Sequence, residues 1–194
     1  MISSSIPYAI ISFPYSFFNI DIDARVLPQD VIWNNDETGY YTINENSIVL
    51  VSTIGKKDKK ILSSEDVKNK KIESFSFSQD KKNVLIFTNS VRVWRYNTRG
   101  NYWVYNLKTK QGKRLGSTLP DRSLMFAKFS PNGKKIAYVS KEIIPNSFRN
   151  SSTRANIYLE TVEDNSIVKL TESDEKGKII NGTFDWVYEE EFSC

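Results

Sequence analysis

Phe126-Ala-Lys-Phe-Ser-Pro-Asn-Gly-Lys-Lys-Ile-Ala-Tyr-Val139 is two short apolar runs wrapped around a six-residue turn. The flanks are aromatic and β-branched, the side chains that suit a pleated, half-buried surface. Between them Pro131 presets the turn's φ and Gly133 supplies a position with φ above zero. The stretch therefore reads as a tight antiparallel hairpin. The same plan lies 52 residues earlier, from Phe129 back to Phe77: Ser74-Phe-Ser-Phe77, a turn over Ser78–Asn83, then Val84-Leu-Ile-Phe87. A looser copy lies a further 44 residues back, at Val31-Ile-Trp33, the turn Asn34–Gly39 and Tyr40-Tyr-Thr-Ile43.

Two more strand-like runs follow each hairpin. They are Ser47–Ile54 and Lys60–Leu62, then Tyr102–Leu107 and Lys113–Leu115, then Asn156–Leu159 and Val168–Leu170. Four short strands at a period near 50 residues are the mark of propeller blades, each of which must stack on its neighbours to bury both faces. A β-sandwich competes, but its strands need not recur in fours. Propellers typically have four to eight blades, so three do not close a ring. The fold class expected is all-β, a partial β-propeller of about three four-stranded antiparallel blades. Residues 1–30 read as an N-terminal segment and connector, and 31–194 as the partial propeller.

Hydrophobic residues make up 39% of the chain and aromatics 13%, which argues for a packed globular chain. Twenty-seven Lys and Arg against 23 Asp and Glu leave a charge of +4 with both signs interspersed. The lysines gather at Lys56–Lys60, Lys68–Lys71, Lys81-Lys82 and Lys134-Lys135, and read as solvated hairpin tips. No single basic stripe or nucleic-acid module appears, so nucleic acid is not an expected partner. There is no histidine, and the one cysteine is Cys194. A Ser-His-Asp or Cys-His triad within these residues is excluded, as are the usual His-containing metal sites. No Gly-x-Ser-x-Gly elbow occurs, and neither a cofactor nor a metal is called for. Ile6–Phe18 is apolar but broken by Pro7 and Pro14. At about 13 residues it is short for a bilayer span. It lacks the basic flank and cleavage pattern of a signal peptide, and is expected to pack as an edge segment.

The chemistry-bearing stretch comes last: Asn181-Gly-Thr-Phe-Asp-Trp-Val-Tyr-Glu-Glu-Glu-Phe192. An acidic triplet is most often a solvated loop or helix start. Here Glu189–Glu191 lie between Trp186, Tyr188 and Phe192, which suggests acids held against a packed wall. Paired carboxylates suit a primary ammonium, whose three N–H donors can bond both and whose charge offsets their repulsion.

Asp185-Trp-Val-Tyr-Glu-Glu-Glu-Phe192 resembles the signature in the propeller domain of the dipeptidyl peptidase IV family, within the prolyl oligopeptidase class of serine peptidases. The resemblance implies that Glu190 and Glu191 bind the free N-terminal amine of a peptide substrate. A second segment, Val91–Leu107, is similar to the one in which the family's Trp-Arg pair precedes a strand. Its counterpart here is Trp94-Arg95, so Arg95 is the residue implied to hydrogen-bond the substrate backbone. A surface Arg, or one stacked on Trp94 or Tyr96, is the plainer reading of that position. Arg92 and Arg99 are the residues a one-step misalignment would select. Tyr96 stands where many members have His, and Asn106 where the strand usually ends in Asp, a change expected to affect a turn.

The function implied is the substrate-binding propeller fragment of a serine dipeptidyl peptidase that releases N-terminal dipeptides. The hydrolase domain is expected to be absent from residues 1–194 and supplied by the C-terminal α/β-hydrolase domain of a parent chain. The alternative is a non-enzymatic propeller that binds or assists and has lost the peptidase chemistry. Expected partners are a peptide with a free N-terminus and that hydrolase domain, and the family resemblance admits a homodimer of the parent. It also points to an extracellular, cell-surface or periplasmic protein, membrane-associated and glycosylated. Asn150-Ser-Ser and Asn181-Gly-Thr are the sequons that would carry glycans.

Overall fold

The structure, a computed structural model, describes residues 31–36, 38–68, 70–93, 96–143, 153–173 and 179–183. Among the described residues, twelve strands run in chain order as three antiparallel meanders. The first holds β1 (Ile32–Trp33), β2 (Gly39–Asn44), β3 (Ser47–Ser52) and β4 (Lys59–Leu62). The second holds β5 (Ser74–Phe77), β6 (Asn83–Val93), β7 (Tyr96–Asn106) and β8 (Gln111–Arg114). The third holds β9 (Leu124–Phe129), β10 (Lys135–Ile143), β11 (Thr153–Thr161) and β12 (Ile167–Lys169). The described residues are all-β, and the three meanders are blades of a partial propeller, as expected.

The blades are built from one local plan. In blade two the Ser78 N–H donates to Asn83 O and the Lys81 N–H to Ser78 O; in blade three Ser130 donates to Lys135 O and Gly133 to Ser130 O. Ser78 Oγ donates to Asp80 at 2.8 Å, as Ser130 Oγ does to Asn132 at 2.8 Å. Gly133 has the expected positive φ, 69°, and Lys81 takes 54° at the matching position. Asn106 ends β7 and opens the turn, its Oδ1 accepting from the Lys108 and Thr109 N–H groups, each at 2.9 Å.

Strand alternation puts neighbouring residues on opposite faces, and blade two uses this to serve two cores. Phe75, Val84, Ile86 and Tyr105 pack toward blade one with Tyr41, Ile48 and Leu62. Leu85 and Val104 pack toward blade three with Leu124, Ile136, Tyr138 and Tyr158. Burying each such aliphatic side chain is worth about 1.5–3 kcal/mol. A buried carboxylate joins blades two and three. Glu160 Oε2 accepts from the Gly116 N–H at 2.9 Å and the Tyr138 hydroxyl at 3.0 Å, while Lys113 Nζ lies 3.8 Å from Oε1. Lys113 also donates to Thr161 O and to Asn165 Oδ1. Burial holds Lys113 below its ordinary pKa despite the charges of Glu160 and Asp164.

The lysine clusters are only partly the solvated tips expected. Lys56, Lys57, Lys59 and Lys60 are exposed. Lys81, however, bonds Asn34 Oδ1 at 3.0 Å and lies 4.9 Å from the Tyr41 ring centre, linking blades one and two. Lys68 and Lys70 lie over Trp103 at 5.4 and 5.8 Å. Their apolar stems and cationic heads find aromatic faces across the blade boundary. The N-terminal segment 1–30 lies outside the described residues.

Candidate functional site

Arg95, Glu190 and Glu191 all lie outside the described residues, as do Trp94 and Glu189. The chain on both sides of Trp94-Arg95 is described, and the chain before the Glu motif is described as far as Thr183; these two stretches lie at the same end of the blades. One approach is the pair of strands β6 and β7. The sequence pattern assigns strands to Val84–Phe87 and Tyr102–Leu107 and leaves residues 88–101 between them outside any strand. Instead the two strands continue as one hairpin arm, paired from Asn83↔Asn106 to Val93↔Tyr96. Val91, Val93, Tyr96 and Thr98 favour extended backbone, which explains the continuation. Of the alternative arginines, Arg92 is exposed on β6 and Arg99 is half-buried opposite Val91, its Nε without a hydrogen-bond partner among the described residues.

The arm's root is irregular. The register shifts between Thr88 and Val91, and Asn89 takes φ 53°. There the Ser90 N–H donates to Glu73 Oε1 at 2.8 Å. From the other side, Arg122 donates through Nε to Asn89 O and through Nη2 to Ser90 O, both at 3.2 Å. The Arg122 N–H is itself fixed on Asn101 Oδ1 at 2.9 Å, and Asn101 Nδ2 donates to Asp121 at 3.0 Å.

The second approach is the chain entering the Glu motif. Ile180 forms a parallel bridge with Ala155, and the Asn181 N–H donates to Ala155 O at 3.1 Å. Buried Asn156 gathers the surrounding chain. Its Oδ1 accepts from Asn181 Nδ2 at 3.2 Å and Thr171 Oγ1 at 3.3 Å, and its Nδ2 donates to Ser173 Oγ at 3.0 Å. Gly182 then takes φ 75°, where a Cβ would fall 2.6 Å from Val139 Cγ2 and 2.7 Å from Ile157 Cγ1. The Nδ2 of the Asn181 sequon is thus engaged with Asn156, while Asn150 lies outside the described residues.

Both approaches hang on one hydrogen-bonded row. It runs through Thr88↔Asn101, Gly100↔Leu124, Leu124↔Ser140, Ser140↔Asn156 and Ala155↔Ile180. Small polar side chains are buried along it, and Ser123 Oγ meets Ser140 Oγ at 3.0 Å. Just below, burial pushes the Tyr102 hydroxyl up to about 12, against the opposing pull of the Ala127 and Phe126 backbone. The sequence does not announce this row, because its polar members Thr88, Asn101, Ser140 and Asn156 are short residues whose partners lie 13 or more positions away. The recurrence of Asn, Ser and Thr near the same strand end in blades two and three was the signal available.

A cleft of about 590 Å³ opens at the opposite, tight-turn end, lined by residues such as Asp80, Lys82, Asn106, Asn132 and Lys134. Its Lys82 and Lys113 already serve Asp80 and Glu160. Among the described residues no group of three or more His, Cys, Asp or Glu stands together to hold a metal.

The family model for the dipeptidyl peptidase IV N-terminal region matches residues 78–194, more than half of the chain. The chain belongs to this family. Dipeptidyl aminopeptidase B of Saccharomyces cerevisiae is 33% identical over 123 residues, which is 63% of this chain and 13% of that protein. Prolyl endopeptidase FAP of Homo sapiens is 30% identical over 159 residues, 82% of this chain and 19% of that protein. The chain therefore spans less than a fifth of the length of these dipeptidyl peptidase IV relatives. Among solved structures, dipeptidyl peptidase 4 of Porphyromonas gingivalis superposes with a TM-score of 0.65 at 24% identity, covering 84% of this chain and 22% of that one. That likeness supports the propeller architecture.

Proposed function

We propose that residues 31–194 are the substrate-gripping part of a propeller in a serine-type dipeptidyl peptidase, whose chemistry comes from a C-terminal α/β-hydrolase domain of the parent chain. The observation that carries this is the family match, which runs through Trp94-Arg95 and through the whole of Asp185–Phe192. In this reading Glu190 and Glu191 fix the ammonium of the substrate's first residue. At ~4 Å and an effective dielectric near 20, each contact supplies about 4 kcal/mol before desolvation is subtracted. Arg95 steadies the first carbonyl with its planar fork. The second peptide bond is then the one presented to the nucleophile, so a dipeptide leaves. The carboxylates measure length from the amine and transfer no proton. Adjacent strand residues point to opposite faces, so the role requires Glu190 and Glu191 on a helical turn or a bend. The proposal extends to an extracellular, cell-surface or periplasmic location.

The test uses the full-length polypeptide that carries this sequence. Dipeptide release from a free-amine peptide should fall at least a hundredfold in the Glu190→Ala, Glu191→Ala double variant, about the loss of two charge-assisted contacts. N-terminal acetylation of the substrate should reproduce that loss in the unaltered protein. Unchanged release in the double variant would refute the ruler. Cleavage that ignores acetylation would favour internal cleavage, the activity in the name of the human relative. No cleavage, with retained peptide binding, would favour the non-enzymatic alternative.

A further inference from the structure

The bulge at the root of the β6–β7 arm is held by two charged side chains from outside its own hairpin, and we infer that Glu73 and Arg122 are positioning residues for Arg95. The inference rests on the reading of Arg95 given above. At a bulge the extra residue leaves the ladder unpaired, and its polar backbone groups need other partners. Here Thr88 and Val91 bracket the shift, and Asn89 takes a positive φ of 53°. The orphaned Ser90 N–H goes to the Glu73 carboxylate at 2.8 Å. The orphaned carbonyls of Asn89 and Ser90 go to the Arg122 guanidinium at 3.2 Å each.

The chemistry matches group by group: an anion takes the donor and a forked cation takes the two acceptors. Charge-assisted bonds are the stronger kind, and a guanidinium spans two acceptors where an ammonium is a point charge. The clamp has its own foundation. Glu73 is tied by its N–H to Phe87 O at 3.0 Å, and Arg122 by its N–H to the buried Asn101 side chain at 2.9 Å. Glu73 precedes β5 and Arg122 precedes β9, so the arm is gripped from the first strands of two successive blades. Only the Val91↔Arg99 and Val93↔Tyr96 pairs, with a second register shift between them, separate this root from Trp94-Arg95. A change of pitch at the root is therefore carried along the arm to Val93↔Tyr96, the pair that brackets Trp94-Arg95 in the sequence, and misplacement of a substrate-orienting group weakens productive binding.

The experiment uses the full-length polypeptide with Arg122→Met, Arg122→Lys, Glu73→Gln, Glu73→Met and Arg95→Ala, read in two ways. Hydrogen exchange over residues 88–101 reports the arm without reference to activity, and steady-state dipeptide release reports its consequence. Arg122→Met should speed arm exchange severalfold while Val84–Phe87 stays unchanged, and should raise KM about fivefold with kcat within about twofold. Arg122→Lys, which keeps the charge and one bond, should fall between, and covers the case in which the Met variant folds poorly. Glu73→Gln, which keeps an acceptor for Ser90, should sit near the unaltered protein, whereas Glu73→Met, which removes that acceptor, should speed arm exchange as Arg122→Met does. Unchanged exchange in Glu73→Met overturns Glu73's part in the clamp. Unchanged exchange in both Arg122 variants overturns the clamp. Faster exchange with unchanged KM, where Arg95→Ala does raise KM, overturns the positioning role. If Arg95→Ala leaves KM unmoved, the reading of Arg95 itself fails, and the exchange data separate that failure from failure of the clamp.

Discussion

Replacing Glu160 by Ala tests how blades two and three are held together. Glu160 is 2% exposed, and its Oε2 serves the Gly116 N–H and the Tyr138 hydroxyl at 2.9 and 3.0 Å. Both donors lose their acceptor in the variant, and a buried unpaired donor costs about 1–3 kcal/mol. Lys113 loses less, because it stands 3.8 Å away, is part-exposed and keeps Thr161 O and Asn165. The expected sum is about 3–5 kcal/mol. Glu160→Gln keeps a carbonyl oxygen for both donors while turning an amide toward Lys113, and should cost only about 1 kcal/mol. Urea unfolding of the polypeptide carrying this propeller, followed by tryptophan fluorescence, measures both. At about 2–4 °C per kcal/mol the Ala variant should also melt roughly 10 °C lower. A loss below about 1 kcal/mol for Ala, or equal losses for Ala and Gln, would refute the view that paired donors, not charge, make this contact.

The turn carboxylates set the acid limb. The Ser78 hydroxyl first, then the Lys82 backbone and ammonium, lower Asp80 from 3.8 to about 2. The unfolded chain then binds more protons between those values, so this stabilisation is complete above about pH 4 and lost as pH falls toward 2. Asp80→Asn should flatten the stability–pH profile in that window, and an unchanged profile would remove Asp80 as a contributor. Tyr102, raised by burial from 10.0 to about 12, stabilises fully below pH 10 and loses that contribution as pH rises through 12. Tyr102→Phe should abolish its share of the alkaline loss, read by urea melts alongside phenolate absorbance. Gly182→Ala forces a Cβ to within 2.6 Å of Val139 Cγ2 at φ 75°. It should cost about 2–3 kcal/mol through left-handed strain and overpacking, and a melt within 2 °C of the unaltered protein would contradict that packing.

The blade pattern was legible because it depends on short-range chemistry. Apolar alternation and turn residues act within a few positions, so Phe126–Val139 announced β9, its turn and β10 directly. The arm was not, since Asn89 and Ser90 look like a loop from their own neighbourhood. Glu73 and Arg122, 17 and 32 positions away from Ser90, are what make a bulge tolerable there. Lys81 was misread for the same reason, because Asn34 and Tyr41 reach it from another blade. The candidate site residues were named through a motif, which carries identity without geometry. What the structure adds is the arm on both sides of Trp94-Arg95 and the anchoring of residues 179–183 ahead of the Glu motif.

An excursion built as a paired hairpin can change length only under the rules of a ladder. One residue added to each strand of β6 and β7 moves everything beyond it outward by about 3.4 Å and turns it to the opposite face. Two residues per strand restore the face about 7 Å farther out. Reach and orientation at this end of the propeller are therefore coupled and stepwise. Relatives that differ in arm length by an odd number of residue pairs should present their tips to opposite sides, whatever side chains those tips carry.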